Sequence, residues 1–129
     1  MALARYAAQQ NAAAGPHEIE LRAFRYVNGL LAAAAGTPSR ATALHKTHQL
    51  WSLLMADLTL PGNALPPALK GQLVSLGLWA QRESMARLSD RGSLEPLMAL
   101  HRDMIAGLEA QADMRSVAPT PPGAIAGTA

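Results

Sequence analysis

A proline-rich segment, LTLPGNALPPAL at positions 58–69, divides the most apolar part of the chain into two runs that each carry a tryptophan. Proline removes a backbone hydrogen-bond donor and disfavours helical conformation in the residue before it. We therefore expect one helix to end in this segment and the next to begin at Pro66 or Pro67. The segment has no charge, so it must pack against either the protein's own core or a partner. The predicted structural turn consists of Pro61, Gly62, Asn63 and Pro66.

The composition predicts an all-α fold. Half of the 129 residues are hydrophobic, and the chain has only two Trp, two Tyr and one Phe. Its apolar mass is mostly Ala and Leu, which are strong helix formers, whereas the β-branched and aromatic residues that favour strands are scarce. Helix start signals at Pro16, Thr37 and Ser93, together with the proline-rich segment, predict a compact bundle of four to five short helices.

Helical periodicity predicts which faces these helices bury. In the helix after Pro16, large apolar residues recur every three or four positions, as expected for a single buried face. The helix after the proline-rich segment is apolar nearly all round, which indicates that it either is central in the bundle or is covered by a partner. The predicted buried face of the earlier helix consists of Leu21, Phe24, Val27 or Asn28, and Leu31. The predicted apolar stripe of the later helix consists of Leu69, Leu73, Leu76, and Trp79 or Ala80.

Three parts of the chain differ in composition. Residues 1–14 form an Ala-rich N-terminal arm of helix-forming composition, which would fray unless it docked. Residues 15–111 form the helical domain. Residues 112–129 are rich in Pro, Ala and Gly without periodicity, and we predict that they form a disordered tail.

Charge and cysteine content exclude several functions. The eleven Lys and Arg exceed the nine Asp and Glu by a formal net charge of +2. The basic residues are dispersed rather than gathered into the stripe typical of nucleic-acid binders. Cysteine is absent, so disulfides and thiolate metal sites are excluded. The chain has no run of 18 apolar residues, and its N-terminal residues lack the sustained apolar core of a signal peptide. We therefore expect no signal peptide and a cytoplasmic location without membrane association.

The sequence carries no catalytic signature, and we predict a protein that is not an enzyme and needs no cofactor or metal. Nucleotide-binding and nucleophile motifs are absent, and the acids are dispersed, so no carboxylate pair with separated pKa values is expected. His45 and His48 are three residues apart, yet a zinc site needs further ligands that the sequence does not supply. His17 and His101 are isolated.

The methionines and tryptophans allow two interpretations. Met fills irregular gaps in cores but also suits adaptable binding surfaces, and its helical spacing here favours the core. Trp51 and Trp79 each belong either to the core or to an interface.

Three stretches of the chain carry specific motifs in a fixed order: EIELRAFRYVNGLL, ALHKTHQLWSLLMADLTLPGNALPPALKGQLVSLGLWAQ and SLEPLMALHRDMIAGL. Together they resemble the flagellar biosynthesis regulator FlaF family of alphaproteobacteria, from about Tyr6 to Leu108. The most specific pieces are Leu50-Trp51, Pro61-Gly62-Asn63 followed by Leu65-Pro66, Ser75-Leu76 through Leu78-Trp79, and Glu95-Pro96-Leu97.

The resemblance implies a small cytoplasmic protein needed for flagellin production and export. It further implies direct binding of flagellin, as by a secretion chaperone, alongside a FlbT-type regulator of flagellin mRNA. Unpolymerised flagellin has disordered ends with amphipathic helical potential, which a helical protein with spare apolar surface would hold in a groove. The residues expected to contact flagellin are Trp51, Met55, Leu58, Leu65, Leu69, Leu73, Leu76, Trp79 and Met104.

Two other functions stay open on the sequence. One is a post-transcriptional regulator that acts on flagellin mRNA directly or with the FlbT-type partner. Against direct RNA binding, the arginines are not interleaved with exposed aromatics as in many RNA-binding proteins. The other is a helical protein whose apolar surplus is closed by a homodimer.

Overall fold

The computed structural model describes residues 16–117, which form four α-helices: α1 (Pro16–Ala33), α2 (Thr37–Leu58), α3 (Pro67–Leu88) and α4 (Glu95–Val117). These residues contain no strand, which confirms the predicted all-α fold. The boundary predicted at residue 111 falls inside α4, which continues to Val117. The predicted N-terminal arm and residues 118–129 of the predicted tail lie outside the described residues.

The four helices are not equivalent in position. α2 packs against α3 on one side and α1 on the other, and α1 packs against α4. α3 and α4 are the outer helices and contact each other only slightly. The apolar α3 is therefore not central in the bundle, which leaves part of its apolar surface open among the described residues.

The core lies between α1, α2 and α4. All four large apolar residues predicted for the face of α1 are buried, including Phe24 at 1 % exposure, and Val27 rather than Asn28 takes the third place. Trp51 and Leu44 of α2 and Leu97 of α4 are fully buried around them. The buried hydrophobic residues are Leu21, Phe24, Val27, Leu31, Ala43, Leu44, Leu50, Trp51, Leu54, Leu58, Ala80, Leu94, Leu97 and Leu108.

The face that α3 turns to α2 is made of small residues. Gly77, Ala80 and Ser84 are buried there, whereas Leu69 and Leu76 of the predicted stripe are exposed. That part of the prediction is wrong because a helix can bury small residues when they let it approach a bulky neighbour closely. The neighbour is Trp51 with Met55: a Cβ placed on Gly77 would lie 2.5 Å from the Met55 sulfur.

Gly77→Val is expected to lower the free energy of unfolding by about 1–3 kcal/mol, because the added atoms collide with Met55 and with the Trp51 ring. Gly71→Val is the matched control on the same helix, since a Cβ there meets nothing within 4 Å. Its effect should stay within about 0.5 kcal/mol of zero. Urea denaturation of both variants measures the difference, and equal effects would contradict the close packing at Gly77.

Asn63 holds the predicted turn between α2 and α3. Its N–H donates to the Leu60 carbonyl at 3.0 Å, its side-chain amide donates to the Asp57 carbonyl at 3.3 Å, and its side-chain oxygen accepts from the Leu65 N–H at 3.1 Å. Pro66 is extended, and α3 begins at Pro67, as predicted. Asn63 thus fixes the turn through hydrogen bonds that its own N–H and its side chain form with neighbouring backbone groups. These bonds hold the start of α3 beside the end of α2.

Arg40 closes the opposite end of the bundle. Its guanidinium donates to the Gly92 carbonyl at 2.6 Å and to the Arg87 carbonyl at 3.3 Å, which ties the first turn of α2 to the segment between α3 and α4. The bundle is therefore cross-linked at this end and open at the other.

Candidate functional site

A cleft of about 870 Å³ opens at the end of the bundle where α1 begins and α2 ends. It forms because the outer helices α3 and α4 stay apart there and nothing within residues 16–117 fills the space between them. Its volume lies in the upper part of the range of roughly 300–1,000 Å³ that is usual for binding pockets.

Most of the residues that line the cleft are apolar. They come from the last turns of α2, the segment between α2 and α3, the first turns of α3 and the middle of α4. The apolar lining consists of Leu54, Leu58, Leu60, Pro61, Ala64, Leu65, Leu69, Leu73, Met104 and Leu108. Such a lining suits the apolar side of a helix or an extended peptide.

Three carboxyl groups line the same cleft: Glu20 of α1, Asp57 of α2 and Asp103 of α4. Among the residues whose side chains the structure describes, no Lys or Arg lines it. His17 is a lining residue, with its Nδ1 3.8 Å from a Glu20 carboxylate oxygen. The cleft therefore combines a large apolar surface with a concentration of negative charge.

The Glu20 carboxyl is perturbed by this environment. Burial is the main reason that the pKa of Glu20 is raised to about 7, and the neighbouring Asp57 carboxylate adds to the shift. Both effects penalise the ionised form. The sequence analysis treated the acids as dispersed, whereas folding brings together Glu20 and Asp57, which lie on different helices.

Of the nine residues predicted to contact flagellin, five line the cleft and four do not. Those in the cleft are Leu58, Leu65, Leu69, Leu73 and Met104. Leu76 and Trp79 lie farther along α3, with Leu76 exposed and Trp79 half-buried, and Met55 packs against Gly77. Trp51 is fully buried, so its side chain belongs to the core and offers no surface to a partner in this conformation.

Trp51 is the centre of a buried aromatic cluster with Phe24 and His101. Its indole Nε1–H donates to Nε2 of His101 at 3.0 Å. The Phe24 ring meets the Trp51 ring edge-on, with ring centroids 5.5 Å apart, and also meets the His101 ring edge-on at 5.4 Å. The cluster joins α1, α2 and α4, the helices whose ends meet at the cleft.

His101 was not singled out by its sequence position, yet it is fully buried. Burial lowers the pKa of His101 to about 4, so the imidazole is neutral at pH 7. Because Nε2 accepts from Trp51, the proton of the neutral ring lies on Nδ1. This atom has no hydrogen-bond partner among the described residues, which costs about 1–3 kcal/mol. The sequence did carry one signal of this burial: Leu97, His101 and Ile105 are spaced four residues apart, which places His101 on an apolar face of the helix.

The acidic residues of the cleft were also missed, because the sequence separates them widely. Asp57 precedes Leu58 of the predicted contact set, and Asp103 precedes Met104. Their positions beside predicted contact residues gave a weak indication that Asp57 and Asp103 lie at the same site. Nothing local associated either of them with Glu20 of α1.

The described part of the chain lacks both a metal-binding cluster and a membrane-spanning helix. Within residues 16–117, no group of three or more His, Cys, Asp or Glu residues is arranged to hold a metal ion. No helix in that range is both long and apolar enough to span a membrane.

The fold and the cleft define the class of protein: a small all-α bundle, closed at one end, with an open apolar cleft at the other. Residues 2–108 match the model of the family described as Flagellar protein FlaF. The chain therefore belongs to the FlaF family, which confirms the resemblance found in the sequence and assigns the protein to flagellar biogenesis. No curated protein and no solved structure gave a match.

Proposed function

We propose that this protein is a cytoplasmic flagellin-binding secretion chaperone and regulator, needed for flagellin synthesis and export during flagellum assembly. It holds amphipathic segments of flagellin in the cleft between α3 and α4, and it acts by binding, without catalysis or a cofactor. Family membership supports the process, and the apolar lining of the cleft supports the mode of action.

The observation that carries the proposal is the size and chemistry of the cleft. A volume of about 870 Å³ lined by leucines accepts several apolar side chains of a partner, as in other proteins that bind an amphipathic helix in a groove. The exposed leucines of α3 extend this surface: Leu69 is 37 % exposed at the cleft, and Leu76 is 38 % exposed beyond it. Exposed apolar surface of this kind is typical of interaction sites.

The charge of the cleft argues against the alternative of direct RNA binding. Among the described residues, three carboxyl groups and no Lys or Arg line it, so their field repels phosphate rather than attracting it. A FlbT-type regulator would supply the contact with flagellin mRNA in this proposal.

Leu69→Gln is expected to weaken the binding of the cognate flagellin about 10-fold, because it replaces an apolar contact in the cleft with a polar amide. Leu78→Gln is the matched control. It lies on the same helix and is similarly exposed, at 46 % against 37 % for Leu69, but it does not line the cleft. Isothermal titration calorimetry with purified monomeric flagellin measures both affinities.

Three outcomes decide the proposal. A selective loss in Leu69→Gln supports flagellin binding in this cleft, and a negative heat-capacity change should accompany binding because apolar surface is buried. Equal affinities of both variants would place the contact elsewhere. Absence of binding to the unmodified protein would overturn the chaperone function.

A further inference from the structure

We propose that the cleft selects a helical segment that carries basic side chains beside its apolar stripe, and that these side chains lie against Glu20, Asp57 and Asp103. The identity of the natural partner rests on the proposed function. The selectivity itself is a property of the cleft and can be tested without flagellin.

The acids of the cleft differ from most of those on the rest of the surface in lacking an arginine partner among the described residues. Outside the cleft, five carboxylates each form an ion pair with an arginine: Glu18, Glu83, Asp90, Glu95 and Glu109. In the cleft, the Glu20 carboxylate lies 3.8 Å from the imidazole of His17. Asp57 and Asp103 form no ion pair within the described residues.

The local charge also opposes the charge of the whole chain. The formal net charge of the chain is +2, whereas the described residues that line the cleft include three acids and no Lys or Arg. The negative charge is therefore a feature of this site and does not reflect an acidic composition. A partner with an acidic polar face would be repelled here, and one with a basic polar face would be attracted.

The placement of the acids suits a helix that lies along the cleft. They come from α1, α2 and α4, while α3 and the segment before it supply only apolar and small polar side chains to the cleft. An amphipathic helix can thus direct its apolar stripe to the leucines of α3 and of the segment before it, and its basic side chains to the acids of the other helices. The long stems of Lys and Arg would also cover apolar surface at the rim.

The raised pKa of Glu20 is consistent with a site whose cation comes from a basic side chain of the partner. Burial and the neighbouring Asp57 keep the carboxyl partly protonated near neutral pH. A basic side chain from the partner would favour the ionised form and lower this pKa. Binding near pH 7 should then release a proton, with His17, Asp57 and Asp103 as the other titratable groups that face the same space.

The direct probe is a pair of designed amphipathic helical peptides with the same leucine stripe, one with Lys and one with Glu on the polar face. We expect the Lys peptide to bind the full chain about 10-fold more tightly or better at low salt, and this ratio to fall as salt is added. Fluorescence anisotropy of labelled peptides measures it. Equal affinities of the two peptides would overturn the proposal.

The decisive variant combines Glu20→Gln, Asp57→Asn and Asp103→Asn. Its matched control combines Glu83→Gln, Glu95→Gln and Glu109→Gln, which changes the formal net charge of the protein by the same amount outside the cleft. The cleft variant should lose the preference for the Lys peptide, and the control should keep it. If both variants lose it equally, the preference is general electrostatics and the proposal fails. Circular dichroism confirms that both variants are folded.

Two further measurements complete the test. Calorimetric titration of the Lys peptide at pH 7, in two buffers of different ionisation enthalpy, should show proton release that disappears in the Glu20→Gln variant; persistence of the release would contradict the role of Glu20.

Binding of flagellin to the cleft variant and to the unmodified protein separates the two proposals. If flagellin binds the cleft variant as well as the unmodified protein, the chaperone function stands, and the claim that the three acids contact the basic side chains of flagellin is wrong. If flagellin does not bind the unmodified protein but the Lys peptide is preferred, the selectivity stands and the chaperone function fails.

Discussion

Trp51→Ala is expected to lower the free energy of unfolding by about 3–5 kcal/mol, since it removes a large, fully buried aromatic side chain. Trp51 has no exposed surface, it packs edge-on against Phe24, and it contacts the small-residue face of α3 at Gly77. The substitution would leave a cavity at the point where α1, α2, α3 and α4 are held together. Thermal and urea denaturation followed by circular dichroism measure the loss.

Trp51→Phe separates packing from hydrogen bonding. It keeps an aromatic ring but removes the Nε1–H that donates to His101 at 3.0 Å, so a buried acceptor is left without its donor. The expected cost is smaller, about 1–3 kcal/mol. If Trp51→Ala instead left the stability unchanged and abolished flagellin binding, Trp51 would be an interface residue and the buried cluster would not describe the protein in solution.

The second large effect is a dependence of stability on pH that arises from His101. The pKa of His101 falls from 6.5 to about 4 on folding because the ring is buried. The unfolded chain therefore takes up a proton below pH 6.5 that the folded protein does not accept until about pH 4. Stability present at pH 7 is lost as the pH falls through this window, by about 3 kcal/mol.

Glu20 produces the opposite dependence. Its pKa rises from 4.5 to about 7 on folding, through burial and then the charge of Asp57. Between these values the folded protein binds the proton more tightly than the unfolded chain, so stability falls as the pH rises from 4.5 to 7. The size should be similar or somewhat smaller, because the carboxyl keeps some solvent contact. In the unmodified protein the two effects oppose each other between about pH 4.5 and 6.5.

Single variants should reveal each effect. His101→Gln retains an acceptor for the Trp51 N–H but cannot titrate, so its stability relative to the unmodified protein should increase by about 3 kcal/mol as the pH falls from 7.5 to 4. For Glu20→Gln the dependence is reversed: its stability relative to the unmodified protein should increase as the pH rises. Leu78→Gln, at an exposed position, replaces one side chain that does not titrate with another, so it is the control and should show no trend. Urea denaturation across this pH range tests all three, and flat differences for His101→Gln would contradict its buried, neutral state.

Local chemistry made much of the fold predictable. Pro61 and Pro66 determine where α2 can no longer continue and where α3 can begin, whatever surrounds them, because proline acts on its own backbone and on that of its neighbour. The face of α1 followed from spacing alone, since large apolar side chains at every third or fourth position of a helix must share one side. Neither inference required knowledge of which helices are neighbours.

Pairing between helices decided what the sequence left open. Gly77 gave no sign that it would be buried against Met55, and the leucines of α3 suggested the wrong face, because apolar character reports what can be buried and not which neighbour will bury it. His101 looked isolated until α4 placed it beside Trp51.

The sequence by itself determined an all-α fold, the turn between the two tryptophan-bearing helices, and the family. Only the tertiary structure showed that α3 and α4 stay apart at one end, that five of the predicted contact residues line the resulting cleft, and that Glu20, Asp57 and Asp103 line the same cleft. The physical reason is that helix formation depends on interactions within a few residues, whereas a cleft and its charge depend on contacts between side chains that the chain separates by tens of residues.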